Sequence, residues 1–216
     1  MARFVFVLTL TFSLLLACSA QATVITHSSY VGMDAARTAW LGSMGITQPD
    51  YTLNFETGFT EGQDVRNVSL AGGLVITSPK TAFVSSDSGD MGKSSPIDTF
   101  GMAIKEDTVY TLDFSAQPIA YFALYRADVH TTVTINYADG SASETFAFGG
   151  SGTGGHEGKF DTFDFEGKMV SSIQLDTNTP GDGKGVFDNI QYGVPEPISL
   201  LLLGVGGLLL RRRNAR

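Results

Sequence analysis

Between residues 51 and 192, apolar and polar side chains alternate in short runs that are rich in β-branched and aromatic residues. A period of two is typical of β-strands with one buried and one solvated face. The links between the runs carry Gly, Asp, Ser and Pro, which favour turns. Eleven strands are therefore predicted, over Tyr51–Glu56, Leu74–Thr77, Ala82–Ser85, Thr99–Ile104, Val109–Phe114, Ile119–Tyr125, Thr132–Tyr137, Ser143–Phe148, Phe160–Phe165, Val170–Asp176 and Val186–Tyr192.

The clearest link between two runs is Ala138-Asp139-Gly140-Ser141. It lies between Thr132–Tyr137 and Thr145–Phe148, in which apolar and polar residues alternate strictly. Asp-Gly is a preferred pair for a two-residue turn between antiparallel strands. The pattern predicts a tight β-hairpin here.

One segment, Asp34–Met44, has helical rather than alternating character. Its first residue can cap the helix, its alanines favour helical backbone, and Gly45 can end it. Trp40, Leu41 and Met44 would share one face of this helix. We expect that face to cover an apolar surface.

The order of these elements decides the fold class. Parallel strands need long crossover connections, and no helices lie between the strands, so a parallel α/β fold is excluded. The predicted fold is all-β: a two-sheet antiparallel β-sandwich, jelly-roll-like, with one short N-terminal helix. It occupies residues 23–193, between an N-terminal signal helix and a short C-terminal transmembrane helix.

The first 22 residues read as a secretory signal peptide. Arg3 precedes an apolar run from Phe4 to Ala17, and Ala20-Gln21-Ala22 offers a cleavage site after Ala22. Leu15-Leu16-Ala17-Cys18 resembles a lipobox instead, in which Cys18 would anchor an outer-membrane lipoprotein. Because this chain has one cysteine, no disulfide can form within it.

The last 23 residues have a different order. Pro195, Glu196 and Pro197 break the chain, an apolar run follows over Ile198–Leu210, and the cations Arg211, Arg212 and Arg213 come next. As a helix the apolar run would span roughly 20 Å, less than the ~30 Å hydrocarbon core of a bilayer. A plain C-terminal tail anchor with a positive flank is one interpretation.

The same three parts, in this order, resemble the PEP-CTERM sorting signal. The resemblance implies export through the secretion machinery and transient anchoring in the inner membrane of a Gram-negative bacterium. It also implies processing by an exosortase and an association with exopolysaccharide or biofilm. The cell surface or the extracellular matrix would then be the destination, and residues 194–216 the sorting signal.

Removing the targeting segments changes the charge. Residues 23–194 keep nine of the 14 Lys and Arg residues and 21 of the 22 Asp and Glu residues, a formal net charge of −12. An acidic body is repelled by nucleic acid and by anionic lipid, so we expect no nucleic-acid partner. Such a body can use divalent cations.

The first and last predicted strands carry a candidate metal site. Phe55-Glu56-Thr57-Gly58 and Phe187-Asp188-Asn189-Ile190 resemble the opening F-E-x-G and closing F-D-N-I of jelly-roll modules related to carbohydrate-binding modules. The resemblance implies that these strands lie side by side and hold a structural calcium ion, with oxygen ligands. The implied ligands are Glu56 and Asp188, with Asn54 and Asn189 as weaker candidates. Alternatively, Asp188 and Asn189 only fix the end of the last strand.

Tyr121 and Tyr125 lie four residues apart in one predicted strand, so they share a face of the sheet. If that face is solvated, the pair would form an aromatic platform for a sugar. If it is buried, the two rings belong to the core.

Two functions from different classes follow. The first is a non-enzymatic surface or matrix protein whose partner is extracellular polysaccharide. The second is a secreted hydrolase acting on polysaccharide, which would need two facing carboxylates in a cleft. Asp128 with His130 is a candidate site in a loop, and Asp176, Asn178 and Asp182 form a further candidate calcium loop, but no sequence motif selects a catalytic pair.

Overall fold

The alternating runs form strands in two antiparallel sheets in the computed structural model of the chain, which describes residues 22–27, 33–86, 101–104, 108–127, 130–148, 159–177 and 185–194. One short helix, α1, spans Met33–Ser43. The strands are β1 Thr23–His27, β2 Tyr51–Leu53, β3 Val75–Thr77, β4 Ala82–Ser85, β5 Gly101–Ile104, β6 Val109–Asp113, β7 Tyr121–Ala127, β8 Thr131–Tyr137, β9 Glu144–Phe148, β10 Lys159–Asp164, β11 Val170–Asp176 and β12 Gly185–Gly193. A 3₁₀ turn covers Ala71–Gly73.

The two sheets have seven and five strands. In the larger sheet the order is β1-β10-β7-β12-β5-β4, and β2 also pairs with β12. In the smaller sheet the order is β3-β6-β11-β8-β9. All the pairings between these twelve strands are antiparallel. The predicted all-β, two-sheet antiparallel sandwich with one short helix is confirmed.

The core lies between the sheets and is rich in aromatic rings. Phe122 and Phe163, from the larger sheet, are 5.5 Å apart between ring centroids. Phe114, just after β6, lies 6.3 Å from Phe122, and Phe146 and Phe148 of β9 lie 6.4 Å and 6.0 Å from Phe163. Such tilted and edge-on contacts are the favoured arrangement of aromatic pairs.

On one side of the sandwich, hydrogen bonds to the Glu144 carboxylate connect several segments of the chain. The backbone N–H of Ala22 donates to Oε2 of Glu144 at 2.8 Å, and Tyr137 Oη and Lys168 Nζ donate to Oε1 at 2.7 Å and 3.1 Å. Burial raises the pKa of Glu144, but these three hydrogen bonds outweigh it and hold the pKa below its usual value. The network joins the beginning of β1 to the edge of the smaller sheet.

The predicted strands are found at all eleven places, with end points shifted by up to three residues among those described. Helix α1 begins and ends one residue earlier than predicted. Strand β1 was not predicted, because its five residues lie directly beside the signal segment and form too short a run for a pattern. It pairs along its whole length with β10, as the edge of the larger sheet.

The predicted hairpin between β8 and β9 is present, but its turn is wider than two residues. The last paired residues are Ile135 and Glu144. Beyond them, Tyr137 pairs with Val170, and the N–H of Ala138 donates to a carbonyl oxygen of the same neighbouring chain segment. The end of β8 thus stays paired with β11 on one edge after its pairing with β9 on the other edge has ended, which leaves a longer loop.

The targeting segments lie outside the described residues. This applies to residues 1–21, with Cys18, and to residues 195–216, with the predicted sorting motif. Among the residues that the structure does describe, no helix has the length and apolar character needed to cross a membrane.

A buried ion pair sits between the sheets. Arg126 Nε donates to Asp161 Oδ2 at 2.5 Å, and the two side chains are 3% and 0% exposed. The guanidinium also lies over the ring of Phe148 in the opposite sheet, 5.1 Å from its centroid. Removing one partner of such a pair leaves a buried charge, which costs more than the pair contributes.

We therefore expect Asp161→Ala to lower the free energy of unfolding by about 3–5 kcal/mol in urea denaturation. The double variant Arg126→Met, Asp161→Leu should recover most of that loss, because no buried charge remains. Asp64→Ala is the matched control, since Asp64 pairs with Arg66 at the surface, where ion pairs contribute little. Equal losses for Asp161→Ala and Asp64→Ala would contradict this account.

Candidate functional site

The two tyrosines predicted to form a platform lie on one face of β7, as expected. That face is not solvated, however. Tyr121 is 3% exposed and Tyr125 is 1% exposed, because both rings belong to an apolar cluster on the outer face of the larger sheet. The alternative of an exposed sugar platform on an open sheet is therefore wrong, and the two rings are core residues in this structure.

Helix α1 covers this face. Trp40 and Leu41 are buried against the cluster, as the predicted helical face requires. The indole ring of Trp40 meets the ring of Tyr121 edge-on, with centroids 5.7 Å apart and an angle of 77° between the planes. The helix thus seals the outer face of the sheet with the one tryptophan of the chain.

Two polar atoms are buried in this interface. Nε1 of Trp40 and Oε1 of Gln191 have no hydrogen-bond partner among the described residues. Gln191 lies on β12 and pairs in register with Ala123, the residue midway between Tyr121 and Tyr125. Sequence reasoning missed Gln191, because a glutamine in an alternating run reads as a solvated position.

A cleft of about 570 Å³ opens at the C-terminal end of helix α1. Residues 44–48 and Asp50 form one wall, and Tyr121, Gly167 and Val194 contribute to the other. Tyr121 therefore belongs both to the sealed cluster and to the lining of the cleft. Burial raises the pKa of its hydroxyl above the ordinary value, so the group stays protonated.

Hydrogen bonds fix the rim of this cleft. The N–H of Asp50 donates to Tyr121 Oη at 3.0 Å, and the N–H of Val194 donates to Asp50 Oδ2 at 2.9 Å. A Cβ atom at Gly193 would overlap both the Tyr121 hydroxyl and the Asp50 carboxylate. Glycine is thus required at the end of β12 by the close approach of the tyrosine.

The first and last sequence-predicted strands do lie side by side. Strand β2 pairs with β12 through Leu53 and Ile190, and β5 pairs with the other half of the same edge through Met102 and Phe187. Asp188 lies at the junction between these two partners, where the pairing of β12 with β7 is also irregular. This geometry brings the chain after Leu53 beside Asp188.

The oxygen atoms at this junction are of the type that binds calcium. The Asp188 carboxylate is fully buried and accepts a hydrogen bond from Nδ2 of Asn189 at 3.2 Å, while Glu56 is half-buried. Phe55 and Asn189 both have positive φ, 61° and 44°, which turns the backbone carbonyls away from the regular ladder direction. Carboxylate and carbonyl oxygens are the ligands that calcium prefers.

No group of three or more His, Cys, Asp or Glu side chains gathers around a common point within the described ranges. A calcium ion at the junction would therefore need amide and carbonyl oxygens besides Glu56 and Asp188. Asn54 is one such donor, although its Oδ1 accepts a hydrogen bond from the N–H of Glu56 at 3.3 Å. The calcium site stays a prediction.

The other candidate residues are only partly described. His130 is exposed, while Asp128 lies outside the described residues. Asp176 ends β11, and Asn178 and Asp182 lie outside as well. Neither loop site can be assembled from the described part of the chain.

The outer face of the smaller sheet is polar and open. It presents side chains with hydroxyl and amide groups in a row across all five strands, and two of them, Thr134 and Thr145, are in hydrogen-bond contact at 3.2 Å. The row in register is Thr77, Thr111, Gln174, Thr134 and Thr145. Because it has no aromatic ring on which a sugar could stack, it is a weaker candidate than the cleft beside Tyr121.

No protein-family model matches the chain, and no curated protein matches it either. Two solved structures have a distantly similar β-sandwich. One is TmCBM61 in complex with β-1,4-galactotriose, with a TM-score of 0.40 and 12% identity over 64% of this chain and 92% of that one. The other is a glycoside hydrolase family 43 arabinoxylan arabinofuranohydrolase from Bacillus subtilis in complex with cellotetraose, with a TM-score of 0.32 and 13% identity over 62% of this chain and 28% of that one.

Gly193→Ala should destabilise the protein by about 1–3 kcal/mol, because the added methyl group must displace the hydroxyl of Tyr121 and the carboxylate of Asp50. Gly42→Ala is the matched control. It lies in helix α1 with nothing near the added Cβ, so it should stabilise by about 0.5–1 kcal/mol. Both values come from urea denaturation, and similar changes for the two variants would contradict the close approach at Gly193.

Calcium should raise the melting temperature of the wild-type protein, and chelator should reverse the rise. Asp188→Asn keeps the size of the side chain but removes its charge, so it should abolish the calcium response. Asp139→Asn, in the exposed β8–β9 loop, should respond like the wild type. A wild-type melting curve that is the same with calcium and with chelator would exclude the metal site.

Proposed function

We propose that this chain is an exported surface or matrix protein. Its folded body is delivered by the N-terminal signal, held by the C-terminal apolar segment, and released or linked by an exosortase at the Pro195–Pro197 signal. Its partner outside the cell is polysaccharide. It acts by binding or by a structural role rather than by catalysis.

The observation that supports this proposal most directly is the order of residues 195–213. Pro195, Glu196 and Pro197 precede the apolar run Ile198–Leu210, and Arg211, Arg212 and Arg213 follow it. The two-sheet antiparallel sandwich provides the folded body that such a signal would deliver.

The packing of Ala22 bears on the N-terminal cut. Cleavage after Ala22 would remove a residue that packs in the core with 8% exposure. A mature chain that keeps Ala22 would keep this packing and the hydrogen bond to Glu144. Lipidation at Cys18 would keep both as well, so the first residue of the mature protein distinguishes the routes.

The charge supports a polysaccharide partner rather than a lipid surface. The body between the targeting segments has a formal net charge of −12, which opposes binding to anionic lipid headgroups. Hydroxyl and amide groups line one sheet face, and a cleft with the Tyr121 hydroxyl and Asp50 opens on the other. Neutral sugars can exchange hydrogen bonds with such groups without a charge penalty.

Deleting Pro195–Pro197 should leave the protein in the membrane with its C-terminal segment attached. Wild-type protein in a host that lacks the exosortase should show the same retention. The measurement is the C-terminal peptide of the protein recovered from its native host, by mass spectrometry. If deletion variant and wild type carry the same C-terminal peptide, the sorting proposal fails.

A further inference from the structure

Two buried polar atoms without a hydrogen-bond partner lie on the side of the larger sheet that helix α1 covers. Trp40 is 7% exposed and Gln191 is 1% exposed, and neither Nε1 of the indole nor Oε1 of the amide has a hydrogen-bond partner within the described residues. A buried polar group without a partner destabilises the folded state. Phenylalanine and methionine would fill the same positions without this cost.

Both atoms lie over the same stretch of β7. Gln191 is the cross-strand neighbour of Ala123, and cross-strand neighbours project to the same face of a sheet. Trp40 contacts the ring of Tyr121, two residues away on the same face. Tyr125 and Phe160 complete an aromatic border around this point.

The chemistry of the two atoms restricts which ligands could bond to both. An indole N–H can only donate a hydrogen bond, and the amide oxygen can only accept one. A hydroxyl group does both, so a ligand with several hydroxyl groups can satisfy both atoms. A molecule that carries hydroxyl groups on an apolar ring face, and so fits between aromatic side chains, is a sugar.

A route to this point also exists. The cleft at the C-terminal end of helix α1 has Tyr121 in its wall, and the same ring contacts Trp40. The cleft holds about 570 Å³, within the range of small-molecule sites. A chain end or a single sugar ring can therefore enter beside Tyr121.

We propose that the layer beneath helix α1 is a binding site for a neutral sugar unit, with Trp40 and Gln191 as its hydrogen-bonding pair and the cleft as its entrance. The helix is the cover of this site. The inference rests on the proposed polysaccharide partner and assigns the place where it binds.

Full-length protein in detergent would be titrated with β-1,4-linked gluco-, galacto- and xylo-oligosaccharides, with the fluorescence of Trp40, the one tryptophan, as the signal. At least one of these sugars should change the emission of the wild type. Gln191→Met should weaken its binding about tenfold, because a hydrogen bond is lost. The same variant should melt at an equal or higher temperature, because it also removes an unsatisfied buried acceptor.

Gln63→Met is the matched control. Gln63 lies in neither the cleft nor the polar row of the smaller sheet, so its replacement should change neither the affinity nor the emission. Retention on the corresponding immobilised polysaccharides provides a second readout that does not depend on Trp40.

The outcomes separate the two proposals. If the wild type binds a sugar but Gln191→Met binds it equally well, the two atoms are bridged by water only and this site is wrong, while the polysaccharide partner stands. If the wild type binds none of the oligosaccharides or immobilised polysaccharides, the proposed partner itself fails, and the site fails with it. Weaker binding together with a lower melting temperature would indicate a structural role for Gln191 and would also overturn the site.

Discussion

The burial of β12 on both faces is the constraint on which the rest of the sandwich depends. All nine of its residues are buried, because one face meets the core between the sheets and the other lies on the side that helix α1 covers. Its two edges are shared among β2, β5 and β7. Because such a strand is shielded from water, each of its polar groups needs a hydrogen-bond or charge partner. Its buried polar residues are Asp188, Asn189 and Gln191.

The strands could be predicted from the sequence because their hydrophobic period is local. The period also placed Tyr121 and Tyr125 on one face correctly. It could not tell whether that face is solvated, since the answer depends on where a helix some 80 residues earlier in the chain packs. Likewise, Asp50 and Val194 are 144 residues apart, and nothing in their local sequence indicates that they meet.

The resemblance of the segments around Glu56 and Asp188 to jelly-roll modules concerned a contact between distant parts of the chain. It implied that the segments around Glu56 and Asp188 lie side by side, and the pairing of β2 with β12 agrees. The junction that results, where β2 and β5 share one edge of β12, was not implied. Two residues with positive φ, Phe55 and Asn189, mark this place, and an irregular ladder is where oxygen atoms are free to turn toward a ligand.

Two kinds of buried polar group in this sandwich lead to different conclusions. Arg126 and Asp161 are charged, but each compensates the other at 2.5 Å, so the pair has a structural explanation that is complete within the fold. Trp40 and Gln191 are neutral and have no such compensation among the described residues. A fold that tolerates this cost directly beneath a helix and beside a cleft is poorly explained by stability alone. The uncompensated neutral pair, rather than the charged pair, therefore indicates a ligand.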